Sequence, residues 1–299
     1  MRFLTFSSGS DGTPRLGLAL HEASVLDLVA ALDGTVQIPS TLREYIAAGP
    51  DLHDAVREAV ARPGWPRELT YRLEEVSLRA PLRPGKIVGV GLNYVDHVKE
   101  SARSLDTNKD LPSRPVLFGK PATAVVGCGE PILHNAALTA QLDWECELAV
   151  VIGRSARGVS EADALDHVFG YSIVNDISAR DQRRSGQWFF SKGQDSYAPL
   201  GPVVVTADEI PDPHNLDLAL FVNGQQRQQG STRDMLFSIR QLIADISSGM
   251  TLEPGDIIAT GSPQGVGAAM NPPQFLTPGD VVEARIASIG SLINPVKAV

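Results

Sequence analysis

Three carboxylates are spaced two residues apart in Asp143-Trp144-Glu145-Cys146-Glu147, and the chain then runs directly into the apolar Leu148-Ala149-Val150-Val151-Ile152. Alternate residues of an extended strand share a face, so Asp143, Glu145 and Glu147 are expected on one side and Trp144, Cys146 and Leu148 on the other. Like charges this close repel, and a strand this apolar is expected to be buried. A hard divalent cation among the acids would remove that penalty. The plainer alternative is an exposed sheet face with solvated carboxylates. Asp176 favours the cation, because it ends a second apolar run, Tyr171-Ser172-Ile173-Val174-Asn175-Asp176. Glu145, Glu147 and Asp176 from neighbouring strands can form a facial oxygen triad with positions open to water and substrate. Such ligands suit one Mg2+ or Mn2+ better than zinc.

Two further groups can do chemistry. Asn93 reads as the N-cap of a helix through Tyr94-Val95-Asp96-His97-Val98-Lys99-Glu100. His97 and Glu100 then lie at i and i+3 on one face, where the carboxylate can orient the imidazole and raise its basicity. That pair can deprotonate a water; a solvated helix face with an incidental pairing is the competing expectation. Lys192 follows the aromatic Trp188-Phe189-Phe190, where a partly desolvated lysine can hold a substrate carboxylate or a developing enolate. A lone lysine is more often a surface residue. His21, His53, His134, His167 and His214 have no comparable neighbours and read as structural.

These groups need elements to position them. With 299 residues, 43% hydrophobic and 20% charged, the chain can build a large core and is not expected to be disordered. Its 26 basic and 35 acidic residues give a net charge of −9, which argues against a nucleic acid or an anionic membrane as the main partner. No window approaches the roughly 18 apolar residues of a membrane-spanning helix. The start lacks a signal peptide's apolar stretch, so the expected compartment is the cytoplasm. Two cysteines, Cys128 and Cys146, are too few for a disulfide framework or a thiolate metal cage.

Composition divides the chain near residue 80. Residues 1–80 read as a small α+β unit: strands over Arg2–Phe6 and Arg15–Leu20, then a helical stretch from Thr41 to Ala61 broken at Gly49-Pro50. Residues 81–299 carry short β-branched runs at Lys86–Val90, Glu147–Ile152, Tyr171–Val174, Val203–Val205, Leu216–Val222, Asp256–Thr260 and Asp280–Ile286. Asn223-Gly224 is a hairpin signal. Helices are expected after Asn93, over Ala162–Val168 and over Ser238–Ser247. This is a β-rich α+β pattern without alternating βαβ units. Gly89-Val90-Gly91 lacks the third glycine of a dinucleotide fingerprint, and the Gly261–Gly267 turn lacks the Lys-Ser/Thr of a phosphate loop. Serine-hydrolase elbows and zinc-protease motifs do not occur.

In order along the chain, several stretches together resemble the fumarylacetoacetate hydrolase (FAH) family. They are Gly91-Leu92-Asn93-Tyr94-Val95-Asp96-His97-Val98-Lys99-Glu100, Pro115–Pro121, Glu145-Cys146-Glu147-Leu148-Ala149, Asn175–Asp181, Lys192 followed by Ala198–Pro202, and Gly255–Gly267. The resemblance covers about residues 84–299, and residues 1–80 look like the variable extra domain of some members. It implies a mixed β-sandwich roll, usually a homodimer, with one Mg2+ or Mn2+ per chain on Glu145, Glu147 and Asp176. It further implies that His97 and Glu100 activate water or move a proton and that Lys192 stabilises negative charge. Thr260 and the adjoining glycine-rich turn would line the pocket for the substrate's carboxylate. Substrate contacts are expected from Tyr94, Lys120, Arg180, Arg183, Thr260, Gly261 and Ser262. Arg183 stands where many members have glutamine and adds a cation near the pocket; an acidic distal group on the substrate is one expectation.

The family acts on 2-keto and β-diketo acids. The first expectation is therefore a metal-dependent hydrolase cleaving a C–C bond in an acylpyruvate, of the fumarylpyruvate or acetylpyruvate type, in catabolism of aromatic compounds or sugar acids. An oxaloacetate-type decarboxylase or a 2-hydroxy-dienoate isomerase is the alternative. A catalytically silent binding protein is the non-enzymatic one, and the joint presence of His97, Glu100, Lys192 and three carboxylates argues against it. The polar segment Ser101–Arg114, after the His-Glu pair, reads either as a lid over the substrate or as an ordinary surface loop.

Overall fold

The computed structural model describes residues 1–9, 12–21, 24–61, 64–104 and 111–299, without the side chains of 101–104. The middle of the segment read as a lid lies outside this set: residues 101–104 finish the helix Val95–Ser104, and 105–110 are not among the described residues.

The chain is a mixed, β-rich α+β fold, as the sequence pattern predicts. Its main sheet runs from one edge through Thr70–Arg72, Ser24–Asp27, Arg15–His21, Arg2–Ser7, Ala198–Thr206, Val168–Asn175, Cys146–Ile152, Ile257–Ala259 and Ile87–Gly91 to Val116–Lys120. Neighbours on this path are antiparallel except Ile257–Ala259 and Ile87–Gly91, which are parallel. A five-stranded sheet, ordered Gln225–Ser231, Asp217–Val222, Val281–Ile286, Gly290–Ala298 and Ile132–His134, packs on one face. The Asn223-Gly224 hairpin forms as expected, both residues having positive φ, 52° and 76°.

The strand Cys146–Ile152 is buried along its whole length, which is why it reads as a continuous apolar run. Its alternate residues feed two core clusters. Cys146, Leu148, Val150 and Ile152 join one, with Trp144 and Tyr171, and Ala149 and Val151 join the other, with Phe3, Leu16 and Leu200. The second cluster therefore mixes residues from either side of position 80. The strand Arg2–Ser7 also pairs with Ala198–Thr206, placing Arg2 opposite Val205 and Phe3 opposite Val204, so strands from 1–80 and from 81–299 share one sheet.

Local signals explain most helices. Thr41 caps Leu42–Ala47 by accepting from the Glu44 N–H, and Gly49, at φ 93°, breaks the chain before Pro50 starts the next helix, Pro50–Val60. Ser238 and Gln241 form a capping box at the start of Ile239–Gly249. The helix expected over Ala162–Val168 is instead a single 3-10 turn, Ala164–His167, and Val168 opens the next strand opposite Ile152. Strand pairing outweighs the weak helical pattern there. No helix among the described residues is long and apolar enough to cross a membrane.

Candidate active site

Strand register creates the acidic centre. Cys146 faces Asn175 and Glu147 faces Val174 across the antiparallel pair, so the next step of the ladder sets Glu145 beside Asp176. The Asp176 N–H donates to the Glu145 carbonyl at 2.8 Å, and the Glu145 N–H donates to Asn175 Oδ1 at 3.0 Å. Glu145, Glu147 and Asp176 each bring one carboxylate oxygen within 4.8 Å of the others, and all three residues are buried. The exposed, solvated face considered as an alternative is therefore not what forms. Asp143 also departs from the predicted shared face. The extended run breaks at Trp144-Glu145, and Asp143 lies in the separate short strand Leu142–Asp143, paired with Ser178–Ala179.

Three buried cations hold the acids. Arg180 donates from Nε to Asp143 Oδ2 at 2.8 Å and from a terminal nitrogen to Glu145 Oε1 at 2.7 Å. Lys120 donates to Asp176 Oδ1 at 2.5 Å and to the Ile177 carbonyl at 3.3 Å. Lys192 donates to Glu145 Oε2 at 2.5 Å, to Ser178 Oγ at 2.8 Å and to Asp176 Oδ2, with its ammonium 4.9 Å from the centre of the Phe118 ring. Burial alone would raise the Glu145 pKa, but the Arg180 and Lys192 charges outweigh it and hold this carboxyl well below the ordinary range. Burial pulls the Lys192 ammonium down, and Asp176 and Glu145 more than reverse that. At Lys120 burial prevails and lowers the pKa despite Asp176.

Glu147 is the opposite case. No lysine, arginine or histidine pairs with it among the described residues. Burial, then the neighbouring Asp176 and Glu145 charges, push its carboxyl well above the ordinary range, opposed by Lys192 and by a 2.9 Å hydrogen bond from the Gly261 N–H. Gly261 can reach it because it sits at φ 98°, where a Cβ would stand 2.7 Å from that of Asn93.

The glycine-rich turn continues this work. The Gly265 N–H donates to both Glu100 oxygens at 3.0 Å, and the N–H groups of Gly267 and Ala268 donate to Asp143 at 2.7 and 3.0 Å. Its amides thus hold the protein's own carboxylates. Of the residues expected to line a pocket for the substrate's carboxylate, Ser262 lines the cavity between these groups.

The helix Val95–Ser104 brings the His-Glu pair to the same place. Asn93 does not act as its cap. Its side chain donates to the carbonyls of Thr260 and Phe237 at 2.7 and 3.1 Å and accepts from the Phe237 N–H at 2.7 Å, tying the start of the helix to the end of the Ile257–Ala259 strand. His97 Nδ1 lies 3.3 Å from Glu100 Oε2, and Nε2 lies 3.9 Å from Glu145 Oε1. With Glu100 fixed by Gly265, the Nδ1–H tautomer donates to Glu100 and turns the Nε2 lone pair toward the acids.

A narrow cavity of about 30 Å3 lies between these groups, lined by His97, Glu145, Glu147, Asp176, Arg180, Lys192, Arg183, Trp188 and Ser262 with a few neighbours. A larger groove of about 1410 Å3, between the N-terminal strands and the five-stranded sheet, contains none of the candidate residues, and chemistry follows the smaller one. Of the residues expected at substrate, Tyr94, Lys120, Thr260 and Gly261 do not line the cavity. Tyr94 is a core residue whose burial pushes its phenol well above its ordinary pKa. Thr260 donates from Oγ1 to the Leu148 carbonyl at 2.9 Å. Arg180 reaches the cavity wall but is committed to Asp143 and Glu145.

Sequence reasoning missed Gln228, which is fully buried. It accepts from the Cys146 N–H at 2.9 Å and donates to Ser262 Oγ at 2.7 Å, bracing the acidic strand against the turn. Ser178, which binds Lys192, was missed as well.

A divalent cation fits this donor set. With all groups ionised, Asp143, Glu145, Glu147 and Asp176 would carry four formal negative charges against three positive ones on Lys120, Arg180 and Lys192, and the raised pKa of Glu147 marks it as the carboxyl whose charge is least compensated and which a bound cation would favour in its ionised form. Glu145, Glu147 and Asp176 are the residues that would hold it, and all-oxygen ligation suits Mg2+ or Mn2+.

Comparison with known proteins agrees with this geometry. Residues 86–297 match the family model described as fumarylacetoacetate (FAA) hydrolase, C-terminal. Oxaloacetate tautomerase YisK of Bacillus subtilis is 43% identical over 291 residues, spanning 94% of this chain and 95% of that protein. The solved fumarylacetoacetate hydrolase EaFAH of Exiguobacterium antarcticum matches with a TM-score of 0.82 and 38% identity over the whole of both chains. Maleylpyruvate hydrolase of Sphingobium sp. SYK-6, solved with manganese(II) and pyruvate, matches with a TM-score of 0.79 and 31% identity, covering 100% of this chain and 99% of that one.

Proposed function

The chain belongs to the fumarylacetoacetate hydrolase family, and we propose that this enzyme interconverts the keto and enol forms of oxaloacetate or a close 2-keto acid, using one Mg2+ or Mn2+. The observation that carries the reading is His97: Nδ1 on Glu100 and Nε2 3.9 Å from a carboxylate of the acidic triad. A cation held by Glu145, Glu147 and Asp176 supplies Lewis-acid polarisation of the 2-keto acid.

The chain's own residues supply the proton path. The carbon between two carbonyl groups is acidic, and His97 Nε2 is placed to take its proton as the enolate forms. Glu100 stabilises the imidazolium, and Gly265 keeps Glu100 from turning away. Lys192 puts a positive charge beside the developing enolate. Returning the proton to oxygen gives the enol, and the reverse sequence gives the keto acid. The relative named as an oxaloacetate tautomerase supports this over the hydrolase expected first, and it lies nearer the isomerase and oxaloacetate-decarboxylase alternatives.

C–C hydrolysis of an acylpyruvate is the second reading, supported by the likeness to maleylpyruvate hydrolase. The same His97–Glu100 pair would then deprotonate water. The wider proposal is a cytoplasmic homodimer.

A substrate panel with Mg2+ or Mn2+ tests this. Tautomerisation of fresh enol-oxaloacetate is expected to exceed pyruvate release from acetylpyruvate or fumarylpyruvate by at least roughly tenfold in kcat/KM, about 1.4 kcal/mol of transition-state discrimination. The opposite ratio replaces tautomerase by hydrolase, and release of CO2 from oxaloacetate at the faster rate replaces it by decarboxylase.

A further inference from the structure

Gly261 gives its N–H to Glu147 Oε2, and the next residue, Ser262, lines the same small cavity as Glu147. What the Ser262 hydroxyl can do there is decided by Gln228. The Cys146 N–H can only donate and the Pro263 carbonyl can only accept. The Gln228 amide lies between them, taking the Cys146 N–H on Oε1 at 2.9 Å and donating from Nε2 to the Pro263 carbonyl at 2.8 Å, so its two ends cannot be exchanged. Nε2 is therefore the atom that meets Ser262 Oγ, at 2.7 Å, and the hydroxyl has to accept. A hydroxyl that accepts here still has its one proton to give, and among the described residues no group takes it. The proton is left for whatever occupies the cavity.

The fold is shaped to aim this amide. Gln228 sits in the edge strand Gln225–Ser231 beside a bulge: Leu220 pairs with Gln228 and Phe221 with Gln226, so Arg227 is the extra residue. A bulge re-aims the side chains next to it, and Gln228 is fully buried while Gln225, Gln226 and Gln229 are exposed. Gly265 lets the turn come down on this point. A Cβ there would stand 2.1 Å from the Arg227 carbonyl oxygen and 3.1 Å from the Gln228 Cα.

We propose that Gln228 is a positioning residue that makes the Ser262 hydroxyl a one-way donor to an oxygen of the 2-keto-acid group of the substrate. This rests on the 2-keto-acid reading above and deepens it. The atom recognised carries lone pairs, as carboxylate, carbonyl and enolate oxygens do. A free serine hydroxyl turns among its neighbours, and fixing it in advance removes that cost from binding. The arrangement also gives the substrate a neutral donor beside the Lys192 charge, without a further cation in a site that must take a divalent ion.

The experiment is a double-mutant cycle on the full chain: parent, Ser262→Ala, Gln228→Met and both together. It reads the dissociation constant of oxalate, a mimic of the keto-acid enolate, on the Mn2+-loaded protein, KM and kcat for oxaloacetate, and the Mn2+ affinity without ligand. Ser262→Ala should weaken oxalate and raise KM about 10- to 100-fold, the size expected for a lost hydrogen bond to a charged group, with Mn2+ affinity unchanged. Gln228→Met, of similar length but without the amide, should weaken oxalate about 3- to 10-fold in the parent and not at all where Ser262 is already alanine. Ser262→Thr keeps a hydroxyl and should recover most of the loss. If Gln228→Met does not fold, Gln228→Asn, one methylene shorter, replaces it in the same cycle. An equal effect of the Gln228 change in both backgrounds makes it a brace of the acidic strand and overturns the proposal. Unchanged oxalate binding in Ser262→Ala overturns it too, as does a loss there that Mn2+ affinity shares. Failure of the parent to bind oxalate with Mn2+ overturns the keto-acid reading itself, and the proposal with it.

Discussion

The two sides of the cavity are built by different means. Glu145, Glu147 and Asp176 stand at the joined ends of two strands buried among their neighbours, and each is braced by a lysine, an arginine or a backbone amide. His97 and Glu100 ride on a 10-residue helix, fastened at its start by Asn93 and along its length by the Gly265 amide. Arg183 and Trp188 belong to a segment in which Arg184, Ser185, Gly186 and Gln187 are exposed. The strand side concentrates like charge and so has to be over-determined, because carboxylates free to separate would do so. The other side needs one correctly aimed lone pair. The comparison teaches that the strand side should govern whether a cation binds, and the helix and turn side what happens to the substrate.

The largest expected effect comes from the strand side. Glu147→Ala should abolish Mn2+ binding by calorimetry and lower turnover on the order of 10^3-fold or more, the two losses appearing together. A variant that binds no metal and still turns over would break the comparison at its root. On the other side, His97→Ala should lower kcat by roughly 10^2- to 10^4-fold while the Mn2+ affinity stays unchanged. Loss of metal binding in that variant would show that the two sides are not separable.

Smaller effects sharpen the division. Arg180→Gln removes a brace and leaves the three ligands in place, so Mn2+ affinity should fall about 10- to 100-fold, with activity restored by excess metal. If restoration fails, Arg180 touches the substrate after all. Gly91→Ala pushes a methyl group into Trp188. It should cost about 1–3 kcal/mol in denaturant unfolding, and an unchanged unfolding free energy would show that the indole does not depend on the bare Gly91 surface.

What the sequence made legible follows the same division. Glu145, Glu147 and Asp176 were visible because a spacing of two on an apolar strand has a direct physical reading. His97 and Glu100 were visible because i,i+3 does too. The break at Trp144-Glu145 that takes Asp143 out of the strand of Glu147 has no Gly or Pro to announce it. Lys120 and Gly261 hold the acids from outside the cavity and Arg180 holds them from its wall, and a one-dimensional pattern does not say from which side a cation or amide approaches a carboxylate. Gln228 hides in the polar Gln225–Ser231 strand, where nothing distinguishes it from its exposed neighbours except which face of the sheet it occupies. The sheet shared across residue 80 depends on pairing Arg2–Ser7 with Ala198–Thr206, and long-range pairing of that kind leaves no local trace.

The central claim, that the buried acids exist to hold a catalytic cation, is tested most directly by metal removal and return. The protein is stripped with a chelator, tautomerisation of enol-oxaloacetate is followed, and Mn2+ is then added back in counted equivalents. The account predicts loss of turnover on stripping and full recovery at one Mn2+ per chain. Undiminished turnover in the stripped protein would contradict it.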